Sequence, residues 1–354
     1  MKKKTIVVAP LNWGLGHSTR CIPIIKALLE RDYEVVLASD GVALGLLTKE
    51  FPELASFELP SYQITYASNG RFFKLKMIFD SPKILNAMRK ERKAIEKIAK
   101  EVNANGIISD NRLGIYVKGI PNVFITHQLR VLSGSTTQIS SAMHQQIFKK
   151  YDAVWVPDFE EDNNLTGELG HLDKKPQNLK YMGPLSRFEK KSVEKVYDLM
   201  VLLSGPEPQR TLLENRLTEE LQAFSGHILM VRGVIEKEQT RHEMTLDSGT
   251  MLKINFMRSE ELSRSVQASD FILCRSGYTT VMDLAKLGKK AFFIPTPGQY
   301  EQVYIAERLD KLGVVPSCTQ EEFSLNQLER ISSYSGLEAF SSGVNFDELF
   351  SVFF

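Results

Sequence analysis

Two stretches of this chain carry residue types at spacings that can do chemistry. The first runs from Ala268 to Leu309. An apolar run, Phe271 to Cys274, meets the tight polar turn Arg275-Ser276-Gly277, and an amphipathic helix is expected from Thr279 to about Leu287. A helix N-terminus presents unpaired N–H groups and the positive end of the macrodipole, so such a turn attracts phosphate. Gly277 has no Cβ and lets a ligand approach the backbone closely. The hydroxyls of Ser276, Thr279 and Thr280 can cap the helix or bond phosphate oxygens, and Arg275 adds a positive fork. Asp283 falls on the helix face of Thr279 and Thr280. An acid there can accept from two adjacent ribose hydroxyls. Singly, each residue reads equally well as a cap or an ordinary turn; the combination is what points to a nucleotide.

The second stretch is the loop Pro10 to Ser18, which follows the short apolar run Thr5 to Ala9. It places His17 at the carboxyl end of the first strand, where a neutral imidazole can take a proton near pH 7. Asp110 ends a later strand, and His127 ends the one after it as a second candidate base. His144, His171, His227 and His242 sit in helix or loop contexts with no evident partner. The turn Gly14-Leu15-Gly16 lacks the third glycine of a dinucleotide fingerprint, and Ser39 precedes Asp40 where the second strand should end on an acid, so NAD is disfavoured. Gly-x-Ser-x-Gly is absent, which leaves Ser nucleophile chemistry unsupported. No Asp-x-Asp pair follows a strand to suggest a metal, so neither metal nor cofactor is expected.

These residues need elements to hold them. Strands are expected at Thr5–Ala9, Tyr33–Ala38, Ala55–Leu59, Gly106–Ser109, Asn122–Thr126 and Ala153–Val156, with a first helix from Thr19 to Glu30. After the linker Gly183-Pro184-Leu185 the alternation resumes at Leu199–Leu203, Ile228–Val231, Leu252–Phe256, Phe271–Cys274 and Ala291–Ile294, with a short strand near Val314-Val315. The pattern predicts an α/β chain of two doubly wound, Rossmann-like domains. Their limits are residues 1–182 and 183–340, with 341–354 as a helical tail packing back toward the first domain. Ligands bind such sheets at the carboxyl edge of the strands.

The stretch from Ala268 resembles the donor-binding segment of metal-independent nucleotide-sugar glycosyltransferases. The closest resemblance is to family 28, which includes the peptidoglycan N-acetylglucosaminyltransferase, and more distantly to the family-1 UDP-glycosyltransferases. The resemblance implies the GT-B fold, in which two Rossmann-like domains face each other across a cleft. It implies that Gly277, Thr279 and Thr280 hold a diphosphate, Asp283 a ribose, and Glu301 and Gln302 the sugar. Ser204 and Gly205 lie in a turn that contacts the donor phosphates in these families, and Met257 lies where they hold the base through main-chain atoms. Gly16-His17 followed by Pro23 resembles the loop carrying the catalytic His of family 1, in which an acid at the place of Asp110 orients the imidazole. Two positions depart: Asp283 is one methylene shorter than the usual Glu, and Ile305 stands where an Asn is usual.

The chain has 354 residues and a net charge of +1, enough for two domains and neutral toward any partner in bulk. The distribution is uneven. Residues 1–150 hold 22 Lys/Arg against 12 Asp/Glu, and the remainder 22 against 31, so the first half is the one expected to meet an anion. Arg71 to Lys100 holds ten basic and three acidic residues, with Phe72, Phe73, Leu75, Met77, Ile78 and Phe79 among the first. It reads either as a segment touching an anionic membrane or as a helix with a solvated basic face. Cys21, Cys274 and Cys318 are too scattered for a disulfide framework or a zinc site, which fits a reducing compartment. The apolar run after Lys4 is too short for an export signal, and no run suits a membrane span. The expected location is cytoplasmic, at most peripheral on the inner face of the plasma membrane, with no nucleic acid as partner.

The expectation is therefore an inverting, metal-independent glycosyltransferase that moves a sugar from a UDP-linked donor to a hydroxyl acceptor such as a lipid-linked or cell-envelope glycan. The alternatives are a UDP-sugar 2-epimerase and a non-catalytic nucleotide-sugar-binding subunit of a membrane glycosyltransferase.

Overall fold

The computed structural model describes residues 3–13, 15–61, 73–131, 137–234 and 236–354, with backbone alone for 73–85, 138–140 and 143. Gly14, Arg71 and Phe72 lie outside the described residues. The chain divides into two compact units, Met1–Leu185 with Val344–Phe354, and Ser186–Gly343.

The first unit holds seven parallel strands: β1 (Thr5–Pro10), β2 (Glu34–Ser39), β3 (Ser56–Glu58), β4 (Gly106–Asp110), β5 (Asn122–Ile125), β6 (Ala153–Val156) and β7 (Leu179–Tyr181). Their order in the sheet is β3-β2-β1-β4-β5-β6-β7. Continuous apolar runs such as Ile6-Val7-Val8-Ala9 become central strands buried on both faces, as a parallel sheet requires. The chain winds outward from β1 in one direction, returns to β4 on the other side of β1, and continues. The gap between the carboxyl ends of β1 and β4 is therefore the topological switch point, where open α/β sheets bind ligands. Leu11 N–H donates to the Asp110 carbonyl at 2.9 Å and closes the two strand ends together.

Three expectations are refined here. The first helix, α1 (Gly16–Glu30), starts earlier than Thr19, so His17 stands in a helical first turn rather than a loop. Between Phe72 and Lys100 the sequence allows one helix or two with a break at Ser81-Pro82, and the backbone forms one, α3 (Phe73–Glu101), running through Pro82. Strand β7 was not foreseen, because Leu179-Lys180-Tyr181 is too short to show an alternation.

The second unit has six strands: β8 (Tyr197–Leu202), β9 (Ser225–Val231), β10 (Arg241–Thr245), β11 (Ser248–Ile254), β12 (Ser269–Cys274) and β13 (Lys290–Phe293). The order is β10-β11-β9-β8-β12-β13, all parallel except the edge strand β10. The switch point falls between β8 and β12, and the turn Arg275-Ser276-Gly277 leaves β12 there. Antiparallel β10 was missed because Arg241-His242-Glu243 is polar and exposed, which suits an edge strand. No strand forms at Val314-Val315; the chain there makes a single bridge from Ser317 to Phe293.

The tail belongs to the first unit. Helix α9 (Phe346–Phe350) and the turn to Phe353 bring Phe350 and Phe353 against Trp155, with ring centroids 6.2 and 6.4 Å away. Lys4 Nζ donates to the Phe353 carbonyl at 2.8 Å, and Arg31 Nε to Asp347 at 2.6 Å. A Cβ at Gly106 would stand 2.4 Å from the Phe353 ring and 3.0 Å from Ile6 Cδ1. Gly106→Ala is therefore expected to displace the tail and lower stability by about 1–3 kcal/mol. Thermal melting checks this, and an unchanged midpoint would show that the ring moves aside freely.

Candidate functional site

In the first unit the titratable groups gather at the switch point. Asp110 is the last residue of β4 and is fully buried. Its Oδ1 lies 2.7 Å from His17 Nδ1. Arg20, one turn along α1 from His17, grips the same carboxylate with a fork: Nε donates to Oδ2 at 2.5 Å and Nη2 to Oδ1. Arg20 Nη1 also reaches His127 Nδ1 at 3.0 Å. Burial alone would push the Asp110 carboxyl up, but Arg20 and then His17 outweigh it and hold it well below the usual carboxylate range. Burial, and then the Arg20 cation, hold His17 below the ordinary imidazole range. His17 keeps a side-chain exposure of 13%, so it is reachable while Asp110, at 0%, is not. His17, Asp110 and His127 are thus brought together. Arg20 was not foreseen, although its place three residues after His17 was a usable signal.

A second buried ion group props up the loops around this one. Asn111 takes a positive φ of 57°, which Asn tolerates, and turns Arg112 back under the sheet edge. Arg112 donates to Glu91 at 2.5 Å, to Asp40 at 2.7 Å and to the Pro60 carbonyl at 2.8 Å. Helix α3 and the loops after β2, β3 and β4 are tied through one guanidinium.

In the second unit, helix α7 (Tyr278–Leu287) opens at Gly277, which has no side chain to cap it, and the N–H groups of its first turn have no acceptor within the helix. Gly277 has an ordinary φ of −65°, and a Cβ there would meet nothing nearer than Gln302 Nε2 at 4.0 Å. Neither backbone nor packing demands glycine, and the space beside it is open. Thr279 and Thr280 are half-buried on the first turn. Ser204 and Gly205 lie on the exposed loop between β8 and helix α5 (Gln209–Glu220). Gly205 needs its glycine, with φ at 105°, and a Cβ there would lie 3.4 Å from Thr296 Oγ1. That hydroxyl, in the loop after β13, is buried without a hydrogen-bond partner. Helix α8 (Tyr300–Lys311) begins with Glu301 and Gln302 half-buried in its first turn. Gln302 accepts from Thr296 N–H at 2.9 Å and donates to Gln299 at 2.6 Å, which fixes this loop beside Gly277. Met257 is half-buried at the carboxyl end of β11, two residues before helix α6 (Ser259–Gln267).

Three of the residues expected at the donor are engaged inside the protein. Arg275 is the first of them. It is buried, and donates to the carbonyls of Ile294 at 3.1 Å, Pro295 at 3.0 Å and Gln209 at 2.9 Å, and to Gln320 at 2.7 Å. It holds the loops of the site by their main chain, and burial brings its pKa down to about 10. Ser276 is buried and donates to the Gln302 carbonyl at 2.7 Å, pinning α8 against the turn. Asp283 is not openly presented either: it is 7% exposed and accepts from Ser186 Oγ at 2.6 Å. Burial pushes its carboxyl up to about 6, against the pull of Arg187 and Ser186. Among the described residues no cluster of three His, Cys, Asp or Glu is placed to hold a metal, and no helix is long and apolar enough to cross a membrane.

Comparison with known proteins meets this geometry. Residues 208–332 match the glycosyltransferase family 28 C-terminal domain. An uncharacterized glycosyltransferase of Methanopyrus kandleri is 22% identical over 324 residues, 88% of each chain. The UDP-N-acetylglucosamine–N-acetylmuramyl-(pentapeptide) pyrophosphoryl-undecaprenol N-acetylglucosamine transferase of Clostridium tetani is 23% identical over 336 residues, 92% of this chain and 87% of that one. The crystal structure of the glycotransferase of kitacinnamycin superposes with a TM-score of 0.68 at 13% identity over the full length of both. The fold is that of the GT-B glycosyltransferases, with two Rossmann-like domains. Within that fold class the chain is a glycosyltransferase, and residues 208–332 of its second unit match the family-28 C-terminal domain.

Two outcomes follow from the buried charges. Arg275→Gln is expected to cost about 2–4 kcal/mol of stability, because it orphans several buried carbonyls; urea unfolding reads it. For Asp283, the unfolded carboxyl titrates near 3.8 and the folded one near 6. The native state then binds more protons than the unfolded state between those values, so stability falls as pH rises through about 4 to 6. Asp283→Asn is expected to gain on the order of 2 kcal/mol at pH 7.5 and nothing at pH 3.5, as read by melts at both.

Proposed function

We propose that the chain is an inverting, metal-independent glycosyltransferase that moves a sugar from a UDP-linked donor to a hydroxyl of a lipid-linked or cell-envelope glycan. The observation that carries this is the His17–Asp110 contact. With Nδ1 donating to a carboxylate that cannot protonate near neutrality, Nε2 keeps its lone pair on a reachable imidazole. In this reading the acceptor O–H gives its proton to His17 Nε2 while its oxygen bonds the anomeric carbon. The bond from that carbon to the diphosphate breaks, and the pair of electrons leaves with the diphosphate. A single displacement inverts the anomeric centre.

The departing charge needs a clamp, and the N-terminal turn of α7 with Thr279 and Thr280 can be one without a metal. Gly205 and Thr296 border the same edge. We assign the ribose to Asp283, which lies on the α7 face of Thr279 and Thr280 and already accepts from one hydroxyl, that of Ser186. The base falls to the main chain at Met257, and the sugar to Glu301 and Gln302. The UDP donor and the lipid-linked acceptor are supported by those named for the Clostridium tetani relative. A peripheral position at an anionic inner membrane surface is supported by the basic stretch from Arg71 to Lys100.

His17→Ala is expected to lower transfer by at least about 10²-fold while UDP affinity stays within about twofold. Asp283→Asn is expected to weaken UDP binding about tenfold. Single-turnover transfer with a panel of UDP-sugars and titration calorimetry with UDP make the test. Normal transfer by His17→Ala would remove the base assignment.

A further inference from the structure

The guanidinium of Arg20 touches the polar groups that set the state of His17. It holds Asp110 through Nε and Nη2, lies 2.8 Å from His17 Nδ1 through Nη2, and 3.0 Å from His127 Nδ1 through Nη1. We infer that the Arg20–Asp110 pair sorts the two imidazoles into opposite tautomers, so that His17 carries its lone pair on Nε2 and His127 its proton there. Arg20 is then a positioning residue for the base, which rests on the reading of His17 given above.

The argument uses only donor and acceptor chemistry. An arginine stays protonated and has no acceptor, so His127 Nδ1 can meet Nη1 only with its own lone pair. The single proton of neutral His127 is then on Nε2, which makes this ring a donor and removes it as the general base. At His17 two demands compete. Asp110 Oδ1 at 2.7 Å needs a proton on Nδ1, and Arg20 Nη2 needs a lone pair there. An ionised carboxylate facing a lone pair at that distance would repel it, whereas Nη2 already gives one of its two N–H groups to Oδ1. The proton therefore sits on Nδ1.

Charge balance supports the same assignment. The groups acting on His17 are Asp110 from β4, Arg20 from α1 and His127 beyond β5, with Cys21 from α1 against Asp110. The Cys21 thiol, raised by burial, stays neutral and lies 3.7 Å from Asp110 Oδ2. Arg20 thus offsets Asp110, and His17 is left neutral and ready to accept a proton. A lone Asp110 would instead hold His17 as an imidazolium that cannot act as a base.

The test is a long-range ¹⁵N–¹H NMR correlation of the histidine rings in the full-length protein, recorded against pH without substrate. At pH 8 the wild type is expected to show Nδ1–H at His17 and Nε2–H at His127. Asp110→Asn is expected to flip His17 to Nε2–H, because Arg20 Nη2 then becomes its Nδ1 partner. Arg20→Met should raise the His17 midpoint by about one unit or more, with Arg20→Lys returning part of that shift. Like tautomers in the wild type, or a His17 midpoint unmoved in Arg20→Met, would overturn the inference. If Arg20→Met fails to fold, the wild-type and Asp110→Asn spectra decide alone. Transfer by His17→Ala remains a separate readout: normal transfer with opposite tautomers refutes the base and leaves the sorting, and the reverse result does the opposite.

Discussion

A carboxylate without solvent survives as an ion only if cations or N–H groups surround it, and Asp110 meets that condition at the first unit's switch point. The Arg20 fork and the His17 ring both aim at it, and the strand that ends with it is zipped to β1 by the Leu11 amide. Removing either partner would leave charge stranded in a low-dielectric interior. The contact therefore fixes the start of α1, the end of β4 and the imidazole in one stroke. The Arg112 group, just along the chain from Asp110, performs the same service, tying α3 and three loops to one cation.

The second unit uses a different device. The edge proposed for the donor is mostly main chain: the start of α7 and the open side of Gly277, with the buried hydroxyl of Thr296 beside them. Side chains that would otherwise interfere are put to work behind it. Arg275 holds carbonyls of two loops, and Ser276 and Gln302 lock the turn to α8. A rigid frame of this kind presents N–H groups without spending side-chain entropy at the moment a ligand binds.

Much of this was legible in the chain. Apolar runs of four to six residues punctuated by Gly, Pro and polar turns marked the central strands, because a strand covered on both faces must be apolar throughout. His17, Asp110 and His127 stood at strand ends, and a doubly wound sheet sends strand ends to one edge. The short strand β7 and polar β10 were not legible, since neither carries a pattern distinct from loop. Arg20 was visible by spacing but not by meaning: a cation one turn after a histidine reads as repulsion until the buried carboxylate beneath both is in view.

What the sequence determined by itself is the order of the elements, the carboxyl edge on which chemistry-bearing residues fall, and the helix that opens at the Gly277 turn. These follow from local patterns of burial and turn formation. Only the tertiary structure decided where each polar side chain spends its hydrogen bonds. Arg275 and Ser276 look in sequence like phosphate ligands and are instead consumed by carbonyls, while Asp283 turns to Ser186. The reason is that a buried donor or acceptor must be satisfied by whatever partner the packing brings, and those partners lie tens of residues away along the chain.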